Sequence, residues 1–272
     1  MAWFANLDDA VALIEPGMRL ALPPEYCGVA MAATRALIRR GTGDLHLIAV
    51  PQSGLQTDML IGAGLVATVE AAAVTLGEAG RAPCFSRAVS SGTIRMMDAT
   101  CPAIHAGLQA AEKGIPYMPL RGILETDVLA NRSDWRIGDN PFGHDDPIVL
   151  IPAIRPDVAL FHAEQADRDG NVWIGRRREL AVMAHAARST VVTVEEIHDG
   201  DLFVDETLAA GALSALFVDA VVHAPGGASP LAMPGYYDLD TAAVAAYAEA
   251  ARTPDGIRNY LDLYVFGEES QA

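Results

Sequence analysis

Short apolar segments alternate with amphipathic ones along most of the chain. Apolar, β-branched runs predict strands at residues 18–22, 45–50, 66–76, 148–151, 158–161, 190–194 and 217–222. Residues 148–151, 158–161 and 190–194 have the composition of strands buried on both faces. Helix-like periodicity predicts helices at residues 7–14, 30–40, 58–63, 85–90, 104–113, 241–251 and 255–263. This alternation indicates an α/β fold with an open, mostly parallel, doubly wound sheet and helices on both faces.

The segment 157–175 combines a predicted strand end with an unusual density of polar side chains. Its apolar run leads into His162, Glu164, Gln165 and Asp167, and then into Asp169-Gly170-Asn171. Asp-Gly after such a run predicts a hairpin, since these residues accept the positive φ of a primed turn. Strand ends of open α/β sheets line the ligand crevice, so we expect this segment to lie beside a bound ligand. A satisfied core histidine is the alternative for His162.

The chain shows no Pro-, Gly- or Ser-rich linker, which predicts a single domain over residues 1–272. Its longest irregular piece is the segment 122–147, rich in Asp, Asn, Gly and Pro. A loop of that length in a compact domain is usually a functional lid or an interface arm.

Charge and composition exclude several classes of function. A net charge of −16 argues against nucleic acid and anionic membrane surfaces as partners. The basic cluster Arg176-Arg177-Arg178 is either a solvated or interface surface, or a site for ligand phosphates. The three cysteines lack Cys-x-x-Cys spacing, which argues against both a disulfide framework and a metal site. Acidic residues in the N-terminal segment argue against a signal peptide. Glu70 lies within the most apolar stretch and argues against a membrane span there. We therefore expect a cytoplasmic protein.

Several segments, in order, resemble the A (α) subunit of family I CoA-transferases, with the greatest likeness to the glutaconate CoA-transferase type. They are RALIRRG (35–41), DMLIGAGLVATVE (58–70), LGEAGRAPCFSRAVSSG (76–92), GIPYMPLRG (114–122), the segment 157–175 and VDAVVHAPGGASPLAMPGYYDLD (218–240). The resemblance implies the family's open α/β sheet and, as partner, a similar B (β) subunit. It also implies that segment 157–175 is a supporting wall of the cleft between the two subunits, which His162, Glu164 and Gln165 shape or seal. It also implies that CoA moves from an acyl-CoA to a small carboxylic acid, with coenzyme A as a substrate and no permanently bound cofactor.

In the family, the nucleophile is a glutamate in a Ser-Glu-Asn-Gly motif of the B subunit, which attacks the thioester and becomes a glutamyl–CoA thioester. This chain has no such motif, and Gly77-Glu78-Ala79-Gly80 is its nearest imitation. The resemblance therefore implies that the nucleophilic glutamate lies on the partner, and that Glu78 contacts substrate rather than attacking it.

The family's glycine-rich first loop corresponds here to LPPEYCGVA (22–30), in which only Gly28 remains, and the resemblance implies that Gly28 contacts the substrate. Glu25 in this loop is either a surface carboxylate or a substrate contact. Ser53 and Gly54 follow a strand, as a ligand loop or a simple turn would. Arg121 ends a strand-like piece and either holds the carboxylate of a diacid acceptor or forms a structural ion pair.

Two other functions remain compatible with this resemblance. The steroid ring-opening hydrolases share the fold and use water instead of a second acid. A hydrolase of that group is expected to carry an acidic residue near 99–101. Here those positions are Ala-Thr-Cys, and Asp98 is the acidic residue beside them. A non-catalytic scaffold or ligand sensor is the third class, since fold does not determine function.

Overall fold

The computed structural model describes residues 2–3 and 6–267, which form a large parallel sheet with helices on both faces. The strands are β1 (Ala2–Trp3), β2 (Arg19–Leu22), β3 (Leu45–Ala49), β4 (Gln52–Ser53), β5 (Val66–Ala71), β6 (Ala73–Val74), β7 (Arg95–Asp98), β8 (Tyr117–Leu120), β9 (Arg136–Asp139), β10 (Pro147–Pro152), β11 (Val158–Asp167), β12 (Val172–Trp173), β13 (Ser189–His198), β14 (Ala212–Leu213) and β15 (Ala220–His223). The helices are α1 (Leu7–Val11), α2 (Met31–Arg40), α3 (Leu55–Gly62), α4 (Pro83–Ser91), α5 (Cys101–Glu112), α6 (Asp127–Asn131), α7 (Arg178–Ala186), α8 (Glu206–Ala209), α9 (Thr241–Ala250) and α10 (Pro254–Leu261).

The main sheet has the strand order β1-β15-β13-β11-β2-β3-β5-β7, and each of these neighbours pairs in parallel. Alternate residues of each strand point to opposite faces, so two hydrophobic cores form. Leu20 and Leu22 pack with α1–α4, α9 and α10 on one face, whereas Ala21 packs with α5 and α7 on the other. The predicted α/β class and doubly wound architecture are confirmed.

The predicted hairpin at the end of β11 forms, with β12 antiparallel to β11 and Gln165 opposite Trp173. Its turn differs from the primed type, since within the turn only Gly170 takes a positive φ, of 89°. The buried Asp167 carboxylate shapes the turn by accepting hydrogen bonds from the backbone N–H groups of Asp169 and Asn171. A side-chain hydrogen-bonding residue thus replaces one of the two positive-φ positions that the sequence suggested.

The prediction for residues 148–151 was wrong in one respect. Strand β10 lies between β8 and β9 in a separate antiparallel sheet, and not in the parallel one. Val149 and Ile151 are buried whereas their neighbours are not, as in a strand covered on one face only. The short apolar run does not distinguish a strand with one covered face from one with two.

The segment 122–147 is also more ordered than an irregular loop, because it contains α6 and β9. Arg132 anchors it to the main sheet: its guanidinium contacts Glu70 at 2.7 Å and Asp134 at 2.8 Å, and donates to Asp98 O. The same guanidinium stacks 4.3 Å from the Trp135 ring centre. Burial of the Arg132–Glu70 pair fixes this segment against the sheet. Across the described ranges, none of the helices combines the length and hydropathy that a bilayer crossing requires.

Candidate functional site

A cavity of about 560 Å³ lies beyond the carboxyl ends of the central strands. Its residues follow β2, β3, β5, β6 and β15 in the chain, so parallel pairing brings their loops together at one edge of the sheet. This is the edge at which open α/β sheets bind ligands. The lining residues are Glu25, Tyr26, Gln52, Thr75, Leu76, Gly77, Glu78, Ala79, Leu231, Ala232, Pro234, Leu239, Thr241, Val244 and Ala245.

Glu25 lies where this cavity meets the N-terminus of α3. Both of its carboxylate oxygens accept from the backbone N–H of Leu55, at 2.9 and 3.0 Å. Burial raises the pKa of Glu25 to about 7, against the opposing effect of the Leu55 hydrogen bond, and the negative charge of Asp58 adds to the rise. Glu25 is therefore a carboxyl group that exchanges its proton near neutral pH, as a general acid or base requires.

Gly54 makes room for this carboxyl group. A Cβ at position 54 would lie 2.4 Å from the Glu25 carboxyl carbon and 2.4 Å from the carbonyl oxygen of Thr75. The next turn of α3 is fixed by Asp58, which accepts from the backbone N–H of Phe85 at 2.7 Å and from the Tyr247 hydroxyl at 2.8 Å. The helix that presents Leu55 to Glu25 is therefore held rigidly against α4 and α9.

A buried polar network supports the opposite side of the site. His162 is fully buried, and its ring nitrogens lie 2.6 Å from a Glu195 carboxylate oxygen and 2.7 Å from the Thr193 hydroxyl. Glu195 also accepts hydrogen bonds from the Tyr237 hydroxyl and, at 2.7 Å, from the backbone N–H of Gly226. The network joins β11 and β13 to the loop after β15, which continues into the apolar wall of the cavity.

Glu195 stays ionised within this network. Burial acts to raise its pKa, but the hydrogen bonds from His162, Tyr237 and Gly226 outweigh burial and lower the pKa to about 2. A carboxylate that is tied to three donors is poorly suited to attack a substrate. His162 is a buried histidine with both ring nitrogens hydrogen-bonded, which is the structural alternative that the sequence allowed. The role of segment 157–175 as a cleft wall stays a prediction.

The arginine cluster lines a second cavity of about 480 Å³, which shares Pro234 with the first. Arg176, Arg177 and Arg178 precede or begin α7, and Glu164 lies in the same cavity. The Arg177 guanidinium donates to the carbonyl oxygen of Tyr26 at 3.4 Å and so connects the walls of the two cavities.

The structure brings some of the predicted site residues together and separates others. Glu25 and Glu78 line the 560 Å³ cavity, and Gly54 lies directly behind Glu25. Ser53 is buried beneath them, where its hydroxyl accepts from Thr57 at 2.8 Å. Gln52, one residue earlier, is the member of that loop that reaches the cavity.

Gly28 and Arg121 have other surroundings. Gly28 packs against β11, because its carbonyl accepts from the His162 N–H at 2.7 Å and a Cβ there would lie 2.2 Å from the His162 carbonyl oxygen. Arg121 does not line the cavity, and its guanidinium forms an ion pair with Asp146. That pair is the structural alternative that the sequence allowed for Arg121.

The sequence interpretation missed the apolar wall and the partners of His162. Leu231, Leu239 and Val244 line the cavity, and Tyr237 binds Glu195, all within or next to the segment 218–240 that carried the resemblance. Only that resemblance marked these residues, because Glu195 lies on a different strand and 31 to 42 residues away from its partners.

The chain is similar in sequence to known CoA-transferases. A family model described as Coenzyme A transferase matches residues 4–224. The chain is 30% identical over 276 residues to the A subunit of the 3-oxoadipate CoA-transferase of Pseudomonas knackmussii, covering 98% of this chain and 95% of that protein. It is 30% identical over 257 residues to the A subunit of the glutaconate CoA-transferase of Acidaminococcus fermentans, covering 86% and 78%. A protein from Archaeoglobus fulgidus is 34% identical over 88% of this chain. The chain spans 53% of the length of that protein.

A third relative is named for a different activity. The cholesterol ring-cleaving hydrolase IpdA subunit of Rhodococcus jostii is 29% identical, covering 97% of this chain and 92% of that protein. Among solved structures, glutaconate coenzyme A-transferase of Acidaminococcus fermentans superposes with a TM-score of 0.90 at 27% identity, covering 98% of this chain and 89% of that one. The decarboxylase AibA/AibB superposes with a TM-score of 0.80 at 28% identity, covering 96% and 98%. Family model, relatives and fold agree, and the chain belongs to the coenzyme A transferase family.

Proposed function

We propose that this chain is the A subunit of a heteromeric CoA-transferase that moves CoA from an acyl-CoA to a carboxylic acid. The observation that carries the proposal is the 560 Å³ cavity at the carboxyl edge of the sheet, in a chain similar to two A subunits of CoA-transferases over most of its length. A cavity of this size suits the binding of a small-molecule group.

In the proposed reaction, the nucleophile is a glutamate of a B subunit. Its carboxylate attacks the thioester carbonyl, which gives an acyl–glutamyl anhydride and CoA thiolate. The thiolate then attacks the glutamyl carbonyl, which releases the first acid and leaves a glutamyl–CoA thioester. The acceptor carboxylate attacks that thioester to give a second anhydride, and the thiolate then attacks its acyl carbonyl, so that CoA ends on the acceptor and the glutamate is restored.

The contribution of this chain is to hold the acyl group and to exclude water. Leu231, Leu239 and Val244 supply apolar surface, and Glu25 supplies a carboxyl group beside the cavity. The arginine-lined cavity next to it offers Arg176, Arg177 and Arg178 to the phosphates of coenzyme A, since guanidinium groups match phosphate geometry.

The proposal is tested by trapping the covalent intermediate. The chain is purified with its B subunit, incubated with an acyl-CoA, and then treated with borohydride or hydroxylamine before mass spectrometry. We expect one modified glutamate on the partner chain, and its formation requires no acceptor acid. Absence of any adduct, although the complex consumes thioester, would refute transfer by this route.

The second candidate function is hydrolysis, which uses water in place of the acceptor acid. Glu25 favours it, because a carboxyl group with a pKa of about 7 at the cavity can take a proton from water. Similarity to a ring-cleaving hydrolase subunit is consistent with this chemistry. Product formation without an acceptor acid, abolished by Glu25→Gln but retained by Glu78→Gln, would support it. Strict dependence on an acceptor acid would exclude it.

A further inference from the structure

We propose that the 560 Å³ cavity takes an uncharged, apolar acyl group and discriminates against acyl groups that end in a second carboxylate. The inference rests on the proposed function and defines its substrate class. It follows from the side chains that line the cavity and from the contacts of the arginines in neighbouring segments.

The cavity has an apolar wall and an acidic side. The wall comes from the segment 231–245, with Leu231, Leu239 and Val244 as its larger side chains. Glu25 and Glu78 are the charged side chains. Among the described residues that line this cavity there is no arginine, lysine or histidine.

None of the arginines in the segments beside the cavity is among its described lining residues. Arg81 pairs with the lining residue Thr75 in an isolated β-bridge, and Arg35 donates to the Ser229 carbonyl oxygen. Arg177 lies beyond Tyr26, binds that residue's carbonyl oxygen and faces the neighbouring cavity. Arg121 pairs with Asp146 on the antiparallel sheet, with its Nε 2.9 Å from a carboxylate oxygen. Neither arginine is among the residues that line the acyl cavity.

At a pH above the pKa of Glu25, a second carboxylate on the acyl group would therefore lie near two carboxylates, with no cation among the described lining residues. Like charges a few ångströms apart repel strongly where the site is partly shielded from water. An alkyl chain of the same length meets the apolar wall instead and gains from its removal from water. The relatives named for glutaconate and 3-oxoadipate act on dicarboxylates by name, so this chain is expected to differ from them in substrate.

The test compares two acyl-CoA thioesters of equal chain length as substrates of the complex of this chain and its B subunit, at a pH about one unit above the pKa of Glu25, where that group is ionised. Hexanoyl-CoA ends in a methyl group, and adipyl-CoA ends in a carboxylate. We expect kcat/KM to favour hexanoyl-CoA by at least about tenfold, from charge repulsion at the effective dielectric of a partly buried site. Equal use of the two thioesters, or preference for adipyl-CoA, would overturn the inference.

A charge substitution provides the internal check. Leu239 is 46% exposed at the cavity wall, so Leu239→Arg introduces a cation without burying it. We expect this variant to reduce the preference for hexanoyl-CoA about tenfold, since it supplies the missing counter-charge. Leu216→Arg is the matched control, because Leu216 is 89% exposed and does not line the cavity. An unchanged ratio in Leu239→Arg, with both thioesters still consumed, would also overturn the inference.

A binding measurement separates this inference from the proposed function. If the complex turns over neither thioester, calorimetric titration of the same complex with hexanoyl-CoA and adipyl-CoA decides the question. Tighter binding of hexanoyl-CoA would support the inference although the transferase proposal fails. Equal binding of the two would refute the inference.

Discussion

Replacing Glu25 by glutamine removes a carboxyl group whose pKa differs between the folded and the unfolded chain. Glutamine has the shape of a protonated glutamate and still accepts a hydrogen bond from the Leu55 N–H. The substitution therefore leaves the packing around Gly54 unchanged and isolates the effect of ionisation.

The size of the effect follows from the shift. Burial raises the pKa of Glu25 from its ordinary value of 4.5 to about 7, and the Leu55 hydrogen bond only partly opposes this rise. Each pKa unit is worth about 1.4 kcal/mol, so ionisation of Glu25 destabilises the folded chain by about 3 kcal/mol.

The upward direction of the Glu25 pKa shift decides the pH range in which the free energy of unfolding changes. Below pH 4.5 the carboxyl group is protonated in both states and has no effect on the pH dependence. Between pH 4.5 and about 7 the unfolded chain releases the proton while the folded chain keeps it, so the free energy of unfolding falls. Above about pH 7 both states are ionised, and the loss is complete.

The assay is equilibrium unfolding of the full chain in urea at several pH values between about pH 4.5 and about pH 8. We expect Glu25→Gln to gain stability relative to the wild type by up to about 3 kcal/mol across this range. Glu78→Gln is the control, because Glu78 lines the same cavity but is exposed. A difference between Glu25→Gln and the wild type that does not change with pH would refute the assignment, as would the same slope in Glu78→Gln.

Three further substitutions test other parts of the site. Gly54→Ala places a Cβ 2.4 Å from the Glu25 carboxyl carbon, so we expect thermal unfolding to show a loss of about 3 kcal/mol, while Gly43→Ala, with open space around it, stays near the wild type. Tyr237→Phe removes a hydrogen bond to a buried carboxylate and should cost about 2 kcal/mol in urea unfolding; a loss below about 0.5 kcal/mol would contradict the network. Arg176→Ser should raise the KM for acyl-CoA several-fold with little change in kcat, whereas Arg188→Ser, outside that cavity, should not; equal KM values would remove the phosphate role.

The sequence was sufficient for the sheet, because buried parallel strands have a direct signature. The apolar runs at 158–161 and 190–194 predicted the apolar parts of β11 and β13, although both strands extend further, to Asp167 and His198. These extensions carry polar side chains, some of which belong to the His162 network. A search for apolar runs does not detect strand residues of this kind. The apolar run at 148–151 predicted a strand but not its sheet, because the choice of sheet depends on β8 and β9.

The site was only partly predictable, for a related reason. Glu25 was singled out as a carboxylate in an altered loop, but its raised pKa depends on its burial at the N-terminus of α3 and on the charge of Asp58, about 30 residues further along the chain. The acyl wall at 231–245 joins the cavity only because β15 lies in the same parallel sheet as β2 and β3. Neither relation has a local pattern in the sequence.

We propose that the altered first loop is a repacked binding site and not a lost one. A Cβ at Gly28 would lie 2.2 Å from the His162 carbonyl oxygen, and a Cβ at Gly54 would lie 2.4 Å from the Glu25 carboxyl carbon. The clash at Gly54 arises from the Glu25 carboxyl group and the Thr75 carbonyl, so glycine at 54 and glutamate at 25 are sterically complementary. A purely structural scaffold has no need for a carboxyl group whose ionisation costs stability above pH 4.5. The cost is understandable if Glu25 acts on a ligand, and this favours an active cavity over a non-catalytic scaffold.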